Sequence, residues 1–150
     1  RFLDALDRFH GRVSWYGMLN SLSQALLKIA SHGIPDFYQG TELWDLSLVD
    51  PDNRRPVDFE RRGALLKELQ ARSNANTMQL MTELLAAPED GRIKLFLIHR
   101  ALQTRRAERE LFQHVARAAA AGQLMHPDEL VQVRGGVNLK RRFPAPEHGV

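Results

Sequence analysis

An otherwise helix-patterned chain is interrupted by one long stretch, Gly33 to Phe59, which reads GIPDFYQGTELWDLSLVDPDNRRPVDF. A short apolar run, Ile34 to Tyr38, opens into a polar loop from Gln39 to Asp58, so the order reads as helix, strand, loop, helix. Pro35 lies at the start of the run, where a strand tolerates it. Loops of this length in a compact domain are commonly functional. Between Asp36 and Glu60 stand seven carboxylates (Asp36, Glu42, Asp45, Asp50, Asp52, Asp58, Glu60) but only two basic residues, Arg54 and Arg55, interleaved with Tyr38, Trp44 and Phe59. Aromatic rings beside carboxylates, amides and guanidinium groups suit a sugar. Its apolar CH faces stack on rings, and its hydroxyls take planar groups that bind two at a time.

The flanks carry helical periodicity. Phe2, Leu3, Leu6 and Phe9 recur at three- and four-residue spacing, and Gly11 is placed to end that helix. A second stripe, Met18, Leu19, Leu22, Ala25, Leu26 and Ile29, runs to about His32, with Gly33 where a helix C-terminus favours a left-handed residue. Asp58 is placed to cap a helix running to about Arg72, with Glu60 in its first turn. The polar SNANT stretch breaks the pattern, and a further helix is expected over Thr77 to Ala86, stopped by Pro88. IKLFLI alone fits a buried strand as well as a helix, but HRALQTRRAERELF after it is strongly helix-forming. Residues 91 to about 112 are therefore read as helix, with VARAAAAGQ extending it to Gly122. From Leu124 onward prolines and glycines predict irregular structure, apart from a short helix at Pro127 to Val131.

Composition excludes several function classes. The chain has no cysteine, which removes disulfides, thiolate metal sites and cysteine nucleophiles and suits a reducing cytoplasm. Its six histidines show no i, i+4 pair, so no metal site is expected, and no P-loop, GxSxG or GxGxxG motif occurs, so no cofactor is expected either. The net charge of +3 comes from residues 76 to 150, chiefly Arg105-Arg106 and Lys140-Arg141-Arg142, and is too thin for a nucleic-acid face. No apolar run approaches the roughly 18 residues that span a bilayer. The start, RFLDALDRFH, is unlike a secretory leader, and the missing initiator methionine is what a fragment of a longer product would show.

Each candidate has a plainer structural reading. QGTELWD places Gly40 beside Glu42 just past the expected strand end, where α/β architectures bind ligands, but a turn glycine with a capping acid would look the same. In DPDNRRP, Arg54 and Arg55 offer forks for paired oxygens, or simply hold the loop by pairing with Asp50 and Asp52. Seven acids make a glycosidase pair, roughly 5 to 5.5 Å apart for retention, conceivable, yet each acid is more commonly a cap or an ion-pair partner.

The string from Gly33 to Phe59, preceded by LNSLSQALLKIASH and followed by GRIKLFLIHRAL, resembles malto-oligosyltrehalose synthases of the α-amylase superfamily of glycoside hydrolases. G-x-P-D-x-Y-Q-G-T-E resembles that superfamily's eighth barrel strand and following turn, while WDLSLVDPDNRRPVDF is similar to this branch alone. The likeness spans about residues 1 to 113. It implies trehalose biosynthesis by an isomerase-type transglycosylation: the reducing-end α-1,4 bond of a malto-oligosaccharide becomes an α,α-1,1 bond. It also implies an Asp nucleophile, a Glu acid/base and a stabilising Asp, all upstream of Arg1, so no catalytic residue carries over to this chain.

The expected architecture is therefore mainly α with one or two short strands, equivalent to the last βα units of a (β/α)8 TIM barrel plus following helices. Residues 1–75 would form the barrel end, 76–122 a helical extension and 123–150 an irregular tail. Tyr38, Gln39, Glu42, Trp44, Asp50, Asn53, Arg54 and Arg55 are the expected sugar-lining residues. A barrel needs about 250 residues, so no catalysis is expected from this chain alone. The expected partners are a malto-oligosaccharide and either the remainder of the barrel or a second copy, with no nucleic acid and no membrane. The tail after Phe112 departs from the family, as a truncated or frame-disrupted product or a divergent member would. A stand-alone helical module that binds carbohydrate or self-assembles is the competing reading.

Overall fold

The computed structural model describes residues 1–122, for 114, 116 and 118–120 the backbone alone. The described residues contain four α-helices: α1 (Phe2–Ala30), α2 (Phe59–Ala86), α3 (Arg92–Ala107) and α4 (Arg109–Ala120). Two compact units divide the chain, Arg1–Gln103 and Thr104–Val150. The first holds α1, the long loop, α2 and most of α3. In the second, α4 follows the end of α3 after a turn at Glu108, whose N–H donates to Thr104 O at 2.9 Å, and Arg105 lies 4.6 Å from the Phe112 ring centre.

The first unit has two small cores. Leu69, Leu80 and Leu84 from α2 meet Ile93, Leu95 and Phe96 from α3, and Leu43 of the loop joins them. Ala25 and Ile29 of α1 meet Ile98 of α3, with Phe37 of the loop against them. The three- and four-residue spacings within each set are what put these side chains on one helix face. The loop is thus tied into the first core by Leu43 and Trp44 and into the second by Phe37.

Several expectations are corrected here. The described residues contain no strand, so the one or two short strands, and the equivalence to the end of a TIM barrel that rested on them, are overturned. Residues 34–38 carry no regular secondary structure: a strand is defined by a pairing neighbour, and no strand pairs with them among the described residues. Pro35 has no N–H to donate, and Ile34 is 96% exposed. Gly11 does not end a helix: α1 runs through Gly11 and Gly17 as one helix of 29 residues. A glycine in a helix interior costs only about 1 kcal/mol relative to alanine, too little to stop a helix favoured on both sides. The expected SNANT break, by contrast, holds: Asn76 leaves helical geometry (φ −158°, ψ 93°), two helical segments of α2 meet there across a kink, and the Asn76 side chain caps the second by accepting from Gln79 N–H at 3.1 Å.

Other expectations hold. Asp58 caps α2, accepting from Arg61 N–H at 2.8 Å, and residues 92–107 are helical rather than strand. Gly33 adopts the left-handed conformation just past α1, at φ +93°. The irregular tail and the helix at Pro127 to Val131 lie outside the described residues.

Candidate functional site

The long loop folds back on itself and on the start of α2, forming an open hollow of about 350 Å³. One side is built by Gln39, Gly40 and Trp44, another by Asp45, Leu46 and Ser47, and the third by Asn53, Arg55 and Pro56 through Asp58, with Arg62 of α2 behind them. Four of the eight expected sugar-lining residues, Gln39, Trp44, Asn53 and Arg55, therefore meet around one space. The other four, Tyr38, Glu42, Asp50 and Arg54, do not line it and brace it instead.

The bracing follows from local hydrogen bonding. Arg54 grips Asp50 with two bonds, Nε to Oδ1 at 2.5 Å and Nη2 to Oδ2 at 2.8 Å, within a 3-10 turn over Asp52–Arg54. Arg55 pairs with Asp52, whose other oxygen accepts from Leu48 N–H at 2.7 Å. Those two interactions, the Leu48 N–H foremost, hold the Asp52 carboxyl below the usual carboxylate range. Tyr38 Oη donates to Asn53 O at 3.4 Å, joining the two ends of the loop. The two arginines thus divide their roles: Arg54 only fixes the turn, while Arg55 fixes the turn and also faces the hollow.

Arg62 is the residue that reading the sequence missed. Its guanidinium donates to Gly40 O at 2.9 Å, Asp58 O at 3.1 Å and Glu42 Oε2 at 3.2 Å, so one side chain fastens both ends of the loop to α2. The signal was the i, i+4 spacing from the capping Asp58, which directs Arg62 back over the loop. Gly40 permits the approach. Its φ is +89°, and an added Cβ would stand 3.1 Å from Val57 Cγ2.

Trp44 serves mainly as a pin. Its indole Nε1–H donates to Pro88 O at 2.7 Å across the corner between α2 and α3, and Lys94 sits 5.4 Å from its ring centre. Gly91, at φ +79°, lets the chain pass, since a Cβ there would come within 3.1 Å of Trp44 N. Trp44 also lines the hollow.

Of the seven acids between Asp36 and Glu60, five are committed to the fold. Asp50, Asp52 and Glu42 pair with arginines, Asp58 caps a helix, and Asp45 accepts from the hydroxyl and N–H of Ser47. Asp45 lines the hollow, but the Ser47 hydroxyl, then its N–H, holds the carboxyl below the usual range. A general acid needs the opposite shift. The hollow therefore offers binding groups rather than a proton donor. Asn53 lines the hollow, while its Oδ1 is buried without a hydrogen-bond partner among the described residues. No three His, Asp or Glu side chains among the described residues converge as a metal site would require. No helix among them is long and apolar enough to cross a membrane.

Two curated proteins from Mycobacterium tuberculosis, strains CDC 1551 / Oshkosh and ATCC 25618 / H37Rv, resemble this chain, and each is assigned provisionally as a maltooligosyl trehalose synthase. Both are 59% identical to it over 51 residues, which is 34% of this chain and 7% of the relative. The likeness is thus local and covers a small part of those proteins. No family model matches the chain, and no solved structure matches it.

Proposed function

We propose that this chain supplies part of the glucan-binding wall of a malto-oligosyltrehalose synthase, with the bond-breaking carboxylates lying elsewhere. Such an enzyme converts the reducing-end α-1,4 bond of a malto-oligosaccharide into an α,α-1,1 bond by intramolecular transglycosylation. The observation that carries the reading is the meeting of Gln39, Trp44, Asn53 and Arg55 around one hollow whose two acids are already engaged, Asp58 as a helix cap and Asp45 by Ser47. Amides and a guanidinium offer donors and acceptors in planes, the arrangement that takes adjacent sugar hydroxyls two at a time. The Gln39 and Asn53 amides and the Arg55 guanidinium bond adjacent hydroxyls, and Trp44 meets a CH face. The local likeness to the two mycobacterial proteins supports the same reading.

Incubation with maltopentaose tests the division of labour. The chain alone is expected to leave the sugar's reducing end intact, and a non-reducing product would refute the placement of the chemistry elsewhere. One observation favours a second reading. The first turns of α1 expose Phe2 (77%) and Phe9 (60%), faces that a self-assembling helical module would bury. Light scattering separates the two: a discrete oligomer favours the module, whereas an unassembled or aggregating chain favours a part of a synthase.

A further inference from the structure

A second, open hollow of about 190 Å³ lies between α1, the segment 37–41 and the start of α3, and shares no lining residue with the loop hollow. Ser21, Gln24 and Lys28 reach it from α1 at i, i+3 and i+7, the spacing that keeps three side chains on one helix face. Phe37 and Thr41 form the second wall and Lys94 the third. Two lysines therefore line one small space, and no carboxylate lines it.

Both ammoniums are held in place yet under-used. Lys28 Nζ donates to Asp36 O at 2.6 Å and sits 5.2 Å from the Phe37 ring centre. Lys94 Nζ donates to Leu43 O at 3.4 Å and sits 5.4 Å from the Trp44 ring centre. A lysine has three donors, and among the described residues each of these bonds one acceptor and neither forms an ion pair. Lys94 is withdrawn from water, which disfavours its charged form. Burial indeed pushes the Lys94 amine down, only partly opposed by Asp45 and Glu42 nearby. A neutral sugar would not relieve this, but an anion would.

We propose that this second hollow binds a phosphoryl group, either as free phosphate or as the head of a small phosphomonoester. Lys28 and Lys94 neutralise it, and the Ser21 hydroxyl and Gln24 amide fill its remaining acceptors. Donors arriving from α1 and α3 on different sides match a tetrahedral oxyanion better than a planar carboxylate. The bound group would also fasten the 37–41 segment between two helices. This inference does not depend on the sugar reading, because it uses other residues and another ligand class.

Calorimetric titration of the full chain at matched ionic strength tests it, with inorganic phosphate, glucose 6-phosphate, glucose and acetate as separate arms. Saturable one-to-one binding of phosphate or glucose 6-phosphate is expected, with none for glucose and weaker binding for acetate. Tighter binding of the ester would identify a phosphomonoester as the source, and tighter binding of the free ion would identify phosphate; both support the proposal. Lys28→Gln and Lys94→Gln should each weaken binding about ten- to a hundredfold, the loss expected for one charged hydrogen-bond donor. Lys67→Gln, on the exposed side of α2, should leave it unchanged. Lys28 is exposed, so its variant decides the matter if Lys94→Gln fails to fold. Absence of saturable phosphate binding, acetate binding as tightly as phosphate, or binding kept within about twofold in Lys28→Gln would overturn the proposal.

Discussion

Replacing Arg62 by alanine removes the one side chain that ties both ends of the long loop to α2. Its guanidinium makes three hydrogen bonds, to Gly40 O, Asp58 O and Glu42 Oε2, at 2.9, 3.1 and 3.2 Å. A bond from a charged donor contributes roughly 1.5–3 kcal/mol, but these three share one group and do not add. The Arg62 side chain is 20% exposed and that of Glu42 29%, so solvent screens the pair only in part and the surviving carboxylate is left half-buried. The expected loss is about 2–4 kcal/mol. With a urea dependence of about 1–3 kcal/mol per molar for a small protein, the midpoint should fall by roughly 1–2 M at unchanged slope. Arg54→Ala is the control. Its ion pair with Asp50 is local and its side chain is 70% exposed, so about 0–1 kcal/mol is expected. Urea unfolding followed by circular dichroism gives both numbers. A midpoint shift for Arg62→Ala no larger than that for Arg54→Ala would refute the argument that Arg62 is the anchor.

Leu84 is 0% exposed between α2 and α3, so Leu84→Ala should lose about 2–5 kcal/mol by the same assay. Leu85→Ala, at an exposed neighbour, should stay within about 0.5 kcal/mol. His99 gives a pH dependence. Burial first, then Arg100, lowers its pKa in the folded chain, so the unfolded chain takes up the proton more readily. Stability is then level above about pH 6.5, the unfolded value, and falls as the pH drops below it. Urea midpoints at pH 7.5 and 5.5 should differ in the wild type, and less in His99→Gln.

The sequence made the helices and caps legible because their signals are local. Asp58 follows from its position before an apolar-periodic run, and residues 92–107 from the helix-forming tail behind an ambiguous IKLFLI. The strand at 34–38 was misread for the complementary reason. An apolar run states a wish to be buried, whereas a strand also needs a neighbour, which the local pattern cannot supply. α1 passes through Gly11 although the residues around it are exposed, so local helix preference on both sides outweighs the cost of one glycine, whereas Asn76, free to cap a new segment, does interrupt α2. At the candidate site, composition pointed to the right loop but not to the inward side chains. Arg54 and Arg55 are adjacent and chemically identical, and only the folded turn assigns one to Asp50 alone and the other to the hollow as well. The pin role of Trp44 was invisible because its partner, Pro88, is far along the chain.

The central claim is that the loop hollow binds a glucan, and Trp44 reports on it directly. In a Trp15→Phe background Trp44 is the sole tryptophan, and its emission can be followed while maltopentaose is added. The account predicts a saturable change that Arg55→Ala weakens about tenfold, as loss of one charged donor should, and that Arg54→Ala leaves in place. A flat titration, or equal weakening by the two variants, would contradict it.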